Sequence, residues 1–547
     1  MRLICTENKN KKAESAAYLL KKYAKNSDGE TILSVSFFED KNCVGDGYRF
    51  ERRGEDIFVF GNTAVAFNAA VGYLVRHQSI GIEDSKSVSF DSDFRAVYFA
   101  NHFYNYYHAA PVDELCEYIE SLALWGQSAL SLWFDMHHFK SIDDFEAKKM
   151  LDRMLCLFKK ARQLGMKTAL TRLPNEYYAG AAPELLAENV IRPERYNKKL
   201  CGFYYTELCP STEEGKDLLL SSFDELMERF SPVGIDYILM WPYDQGGCTC
   251  EKCYPWGSNG FFDLAKEQAK IAKKHFPDIE IIFSCWRFDA FTDGEWESVI
   301  PRIKNEGDWI DKLMVDINSE LPEELLTLNK TLTSFPEISM YRAIPWGGFG
   351  ANPFPMALQR KFRGVGKVCH GGALYSEGIF EDINKAVALE LMRDVQTDPR
   401  QTVFEYCAYH FGYEYAEALT DVILRLEETL RRGTYLANGE RNDYPSGKPE
   451  ALYKYVIEDA SDVESIATKL LEIDEMLPTV VKESPRYQLI RIRALGDAAL
   501  LGNGGVPSEK SDAIFLPLID IYHAQKAYYF VAPVTRESIM ENRGEGV

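Results

Sequence analysis

Ile235-Asp236-Tyr237-Ile238-Leu239-Met240-Trp241-Pro242-Tyr243-Asp244-Gln245-Gly246-Gly247-Cys248-Thr249-Cys250-Glu251-Lys252-Cys253-Tyr254-Pro255-Trp256 is the stretch on which the reading of this chain turns. A short β-rich apolar run ends at Trp241, and behind it come an acid, two glycines, three cysteines and further aromatics. In a protein that alternates strands and helices, the segment past a strand's C-terminal end is where ligands and reacting groups gather. Gly246 and Gly247 let backbone approach a ligand closely, and Asp244 follows the strand end closely enough to face a pocket at a barrel mouth. The plainer alternative is a turn that binds a structural metal.

Outward from this stretch, from Arg95 to Val395, strand-like and helix-like segments alternate in eight pairs, the number a closed (β/α)8 barrel needs. The expected strands are Arg95–Ala100, Ser128–Phe134, Lys167–Arg172, Ile235–Trp241, Ile279–Ser284, Lys312–Asp316, Glu337–Arg342 and Lys367–Tyr375. Between them, Leu151, Met154, Leu155, Phe158 and Ala161 form one helical stripe, and Leu218, Leu219, Phe223, Leu226 and Phe230 another. A long excursion from Leu173 to Glu214 follows the third strand, and loops of that length are usually functional or carry structure of their own. Residues 1–92 read as a small α/β domain, 93–395 as the barrel and 396–547 as an all-helical C-terminal domain. The fold class is therefore α/β, a TIM barrel with two flanking domains.

Composition bounds the function. A hydrophobic fraction of 46% lets a chain of 547 residues bury a large core and argues against disorder. The net charge of −21, with no basic run long enough to track phosphates, excludes nucleic acid as the expected partner. The N-terminus turns polar at once, and no apolar window approaches the ~18 residues of a membrane span, so neither signal peptide nor membrane anchor is expected. The 12 cysteines are scattered apart from one cluster, which suits reduced thiols and a cytoplasmic location. A homo-oligomer is compatible with the sequence, which does not fix the state of assembly.

Side chains at the expected strand ends converge on one face of a barrel. Asn101, Trp133, Arg172, Trp286, Asp316, Arg342 and Trp346 are the expected substrate contacts, with Trp241 at the same level. Flat apolar rings beside carboxylates and hydrogen-bond donors suit a sugar, whose C–H face packs on an aromatic while its hydroxyls need polar partners. Glycosidic cleavage needs an acid for the leaving oxygen and a nucleophile or base, or an acid with a substrate acetamide. Asp244 and Glu377 are the expected pair, Glu377 lying just past the eighth strand. Asp316 and Glu337 stand in reserve, and Glu337, as the first residue of its expected strand, reads as structural.

The segments Tyr243–Cys253, Pro336-Glu337-Ile338-Ser339-Met340, Trp346-Gly347-Gly348 and Tyr375–Lys385 resemble a group of bacterial glycoside-hydrolase-like barrels. That group is itself similar to glycosidases of families 67, 89 and 20, and Asp56–Gly61 with its Ala-rich helix is similar to their N-terminal accessory domain. The resemblance implies Asp244 as acid and Glu377 as nucleophile or base. Two departures stand out: families 67 and 89 carry glutamate where Asp244 stands, and the Asp-Glu pair of family 20 is absent.

Cys248, Cys250 and Cys253 form C-x-C-x-x-C, three soft ligands that lack only a fourth for tetrahedral zinc, and Cys209 at the end of the third loop is the expected fourth. Such a closed site would be structural, and no organic cofactor is expected. The leading expectation is an exo-acting glycosidase for a small glycoside, a hexosaminide or uronide. The alternatives are a sugar isomerase or epimerase whose divalent ion is held by Asp135, His137, His138, Asp316 and Glu377, and a sugar-binding barrel without turnover.

Overall fold

The structure, a computed structural model, describes residues 1–5, 10–25, 31–103, 105–187, 206–243, 247–289, 293–316, 321–338, 351–365, 368–429, 460–503 and 508–523. The first sheet contains β1 (Arg2–Cys5), β2 (Ile32–Glu39), β3 (Tyr48–Arg53), β4 (Asp56–Gly61) and β5 (Ser85–Val88), in the order β1-β2-β4-β3-β5. β3 and β4 pair antiparallel from Tyr48↔Gly61 to Arg53↔Asp56, which is the hairpin their alternation around Gly54 implies. The helix Ala64–His77 starts where Thr63 accepts a hydrogen bond from Ala66 N at 3.0 Å. It packs so closely against the next unit that a Cβ on Gly72 would lie 1.7 Å from Leu124 O, so only glycine fits there.

The second sheet is a closed barrel of parallel strands: β6 (Arg95–Phe99), β7 (Ala129–Trp133), β8 (Lys167–Arg172), β9 (Tyr237–Met240), β10 (Glu280–Ser284), β11 (Lys312–Asp316), β12 (Thr331–Phe335) and β13 (Cys369–Ser376). β13 closes on β6 through Gly372↔Arg95 to Ser376↔Phe99. The N-terminal face is sealed by charge pairs rather than left open. Arg95, fully buried, meets Asp46 of the first unit at 2.7 Å, and Lys312 meets Glu280 at 2.6 Å. No helix among the described residues is long and apolar enough to cross a membrane.

One strand departs from expectation, with consequences for the site. The seventh barrel strand is Thr331–Phe335, and Glu337 follows its C-terminal end instead of opening it. Hydroxyl-rich Thr331-Leu332-Thr333-Ser334-Phe335 lacks an apolar run, but inside a barrel those hydroxyls find acceptors: Ser334 donates to Gly371 O at 3.0 Å and Thr333 to Leu313 O at 3.4 Å. β12 and β13 also approach closely, since a Cβ on Gly372 would lie 2.3 Å from Ser334 O.

Beyond Asp398 come the helices Pro399–His410, Tyr413–Glu428, Ala460–Met476 and Pro485–Leu501. Two short helices, Glu509–Phe515 and Leu518–Ile521, follow. The helical unit braces the barrel. Glu427 accepts from Met356 N and Ala357 N at 2.9 and 2.8 Å, filling the open donors at the start of helix Pro355–Val365.

Candidate active site

Strand parity decides which side chains reach the mouth. Tyr98 and Tyr375 are register partners and both point inward, their rings 5.6 Å apart. Phe335 lies 5.7 Å from Tyr375 and 4.4 Å from Trp241, which stacks on Trp286 at 5.0 Å. These rings, from the ends of five strands, form a continuous aromatic floor. Trp286 therefore belongs to the mouth, as expected, although it is only 7% exposed. Arg287 holds its guanidinium 5.1 Å from the Trp286 ring, on a backbone with φ of 62°, a strained setting for a non-glycine residue. Asp316 pairs in register with Phe335 and shares its inward side at the end of β11.

Two carboxyls stand above this floor. After β12 the chain stays beside β13: Tyr375 N donates to Pro336 O at 3.0 Å, and Glu337 bridges to Tyr375. Parallel partners share a side, so Glu337 faces the mouth next to Tyr375, and Glu377, two residues after Tyr375 and just past the end of β13, has the same parity. Tyr375 donates to Glu377 Oε1 at 2.8 Å. Burial pushes the Glu377 carboxyl up to about 8; the tyrosine bond opposes this, while the nearby charges of Glu381 and Glu337 add to it.

The segment Tyr375–Lys385 is the scaffold for this pair. Glu381 accepts from Glu377 N at 2.9 Å, Gly378 N at 3.3 Å and Ser376 Oγ at 3.0 Å, fixing the turn past β13. Lys385 neutralises it at 3.1 Å with both side chains fully buried. Asn384 donates to Ile338 O at 3.2 Å and to Asn352 O at 2.8 Å, anchoring the backbone beside Glu337. The Glu337 and Glu377 backbones are thus both held by side chains of one helix, Asp382–Arg393, and the turn before it.

The other half of the mouth differs from expectation. Asn101 donates to Trp133 O at 3.0 Å and accepts from Trp133 N at 3.2 Å, so it joins two strand ends rather than facing a ligand. Arg172 follows Thr171, which points inward to Ser131 Oγ at 2.9 Å; alternation turns Arg172 outward, over the Phe223 ring at 4.6 Å. Trp133 is buried to 2% exposure, stacks on His102 at 4.5 Å and donates to Glu176 at 2.9 Å. Glu176 also meets His137 Nδ1 at 2.5 Å, and His138 Nδ1 meets Asp135 at 2.5 Å. Burial raises Glu176 to about 7, against the Trp133 hydrogen bond and the Arg172 charge, which lower it. Sequence reasoning missed Glu176, although it lies four residues past the end of β8, the same offset as Asp244 past β9.

Asp135, His137 and His138 present one ligand atom each within 4.8 Å of one another and could hold a cation. Asp316 and Glu377, which the isomerase alternative also needs, do not join that group.

Asp244, Arg342 and Trp346 lie outside the described residues, but the loop that carries Asp244 is pinned on both sides. Tyr243 donates to buried Glu295, which also accepts from Gly257 N at 2.7 Å and is raised by burial to about 7. On the other side, Gly247 N donates to Asn175 Oδ1 at 3.4 Å and Gly247 O accepts from Asn175 Nδ2 at 3.2 Å. Trp256, fully buried, closes the loop by donating to Pro242 O at 2.6 Å. Cys209, Cys248, Cys250 and Cys253 gather here with all four sulfurs within 4.8 Å.

The fold is similar to several glycoside hydrolases. Superposition on a family 138 enzyme targeting pectin rhamnogalacturonan II gives a TM-score of 0.58 at 11% identity, covering 98% of this chain and 75% of that one. A family 89 enzyme from Clostridium perfringens, with two glutamates replaced by glutamine and in complex with its substrate GlcNAc-alpha-1,4-galactose, gives 0.60 at 14% identity. There the match covers 93% of this chain and 64% of the other, so the chain spans less than two thirds of that enzyme. A family 115 4-O-methyl-alpha-glucuronidase with specificity for decorated arabinogalactans gives 0.57 at 10% identity, covering 98% and 77%. No protein-family model matches the chain, and neither does any curated protein.

Proposed function

We propose that this protein is a glycoside hydrolase removing a terminal uronide or hexosaminide, with Glu337 as the ionised nucleophile or base and Glu377 as its proton-holding neighbour. The carrying observation is the placement of these carboxyls on adjacent strand ends above an aromatic floor, with Glu377 raised to about 8. Burial, with the like charges of Glu381 and Glu337 adding to it, keeps the proton on Glu377 at neutral pH. This reverses the role expected of Glu377, which as a nucleophile would have to be ionised. The oxocarbenium-like transition state gains from the fixed negative charge of Glu337, while the floor of Trp241, Trp286, Phe335 and Tyr375 packs the sugar face. Arg287, held over Trp286, supplies a cation suited to a uronate carboxylate.

The proton for the leaving oxygen comes from Glu377 in this reading. A second reading gives that role to Asp244, and the hold on its flanking residues, Tyr243 by Glu295 and Gly247 by Asn175, favours it. Rates on nitrophenyl uronides and N-acetylhexosaminides separate the two. The acid's amide variant, Glu377→Gln or Asp244→Asn, keeps turnover on good leaving groups and loses it on poor ones. Inactivity of the wild type across both substrate classes, or a Glu337→Gln variant with the wild-type rate, overturns the proposal.

A further inference from the structure

We propose that Cys209, Cys248, Cys250 and Cys253 bind one zinc ion as a closed tetrathiolate, clasping the loop after β8 to the loop after β9. The sulfur geometry carries this. Cys209 Sγ lies 3.6 Å from Cys248 Sγ, 3.7 Å from Cys250 Sγ and 3.9 Å from Cys253 Sγ. A regular tetrahedron with Zn–S bonds of about 2.3 Å has sulfur–sulfur edges of about 3.8 Å, whereas a disulfide brings sulfurs to about 2.05 Å. All four cysteines are free thiols.

The surroundings suit thiolates. Backbone N–H groups of Ser211, Cys250 and Cys253 hydrogen-bond Cys209, Cys248 and Cys250 respectively, and Ser211 Oγ lies 3.0 Å from Cys209 Sγ. Such donors stabilise a metal-bound sulfur as outer-shell contacts do elsewhere. A set of four sulfurs without oxygen ligands excludes magnesium and calcium, and four ligands leave no position for water. The ion therefore acts on structure. Cys209 enters from the far end of the long third loop, and Cys248 follows Gly247, so binding of the metal fixes the descending arm of the Asp244 loop. Metal binding stands independently of the glycosidase reading, because its readout is the metal itself.

The test is elemental analysis of the full-length protein purified with zinc in the medium, together with cobalt replacement. One equivalent of zinc per chain, released as four thiols are modified, supports the site. Cobalt-loaded protein should show the intense thiolate charge-transfer absorption of a four-sulfur site, and Cys250→His should keep the metal while weakening and shifting that absorption. Cys285→Ser, which alters a buried lone cysteine elsewhere in the barrel, should retain full zinc content and so controls for general perturbation of the fold. One equivalent of iron in place of zinc overturns the assignment of the ion. Zinc-free wild-type protein whose melting temperature ignores added zinc overturns the site.

Discussion

Glu176 and Glu377 are both carboxyls at the barrel mouth, raised by burial to about 7 and about 8, yet they occupy different kinds of surroundings. Glu176 is 1% exposed, and its two oxygens meet Trp133 Nε1 and His137 Nδ1. Glu377 keeps some surface open, has a tyrosine as the side-chain donor among the described residues, and lies near the like charges of Glu381 and Glu337. A shifted pKa alone thus fails to separate a keystone from a reacting group. The partners do: donors that answer both oxygens describe a fixed joint, whereas neighbouring carboxylate charges, as Glu381 and Glu337 supply to Glu377, favour a group that holds its proton.

The comparison breaks first at Glu337. Glu337→Gln should reduce kcat by on the order of 10^3-fold with its melting temperature close to wild type. A variant that unfolds instead would move Glu337 into the company of Glu176. The opposite signature belongs to the other half: Glu176→Ala leaves buried Trp133 Nε1 and the His137 ring without their acceptor, which should cost roughly 2–4 kcal/mol in urea unfolding. Activity per folded molecule should change little, and a selective loss of kcat would show that Glu176 takes part in the chemistry.

A smaller effect is expected at the tryptophans. Trp286→Ala should raise KM about fivefold, equivalent to ~1 kcal/mol of sugar stacking, because its ring caps the floor beside Trp241. Trp133→Ala should act on stability instead, since that ring is enclosed and hydrogen-bonded. Matching KM changes for both would dissolve the distinction between the halves.

The barrel was legible because seven of its strands fall where expected between the helical segments; the remaining one, Thr331–Phe335, hides its burial behind hydroxyls satisfied by neighbouring strands. That single misplacement put Glu337 at the wrong end of a strand and removed it from the candidate pair. Asn101 and Arg172 failed for another reason. Position at a strand end was readable, but the side on which a residue emerges depends on register, and one residue's shift reverses it. The cysteines were readable because ligand spacing within six residues is local, and Cys209 needed only the adjacency of consecutive barrel loops.

A pH-dependent difference in stability tests the Glu377 environment directly. In the unfolded chain a glutamate releases its proton near 4.5, whereas folded Glu377 holds it up to about 8. Between those values the folded state binds more protons than the unfolded one, so this group's contribution to stability falls as pH rises. Glu377→Gln has no proton to lose, and the melting temperature of the variant minus that of the wild type should climb from about pH 4.5 and level off near 8. The same subtraction for Glu176→Gln should level off near 7. Buried histidines such as His102 and His137, whose neutral forms burial favours, contribute in the opposite sense below their ordinary range, but they are common to variant and wild type and cancel. In activity the two variants should part company: the alkaline decline of kcat centred near 8 disappears in Glu377→Gln on substrates with good leaving groups and persists in Glu176→Gln. An alkaline limb that survives Glu377→Gln would assign the proton to Asp244 and leave Glu377 as a neutral hydrogen-bond donor beside Glu337.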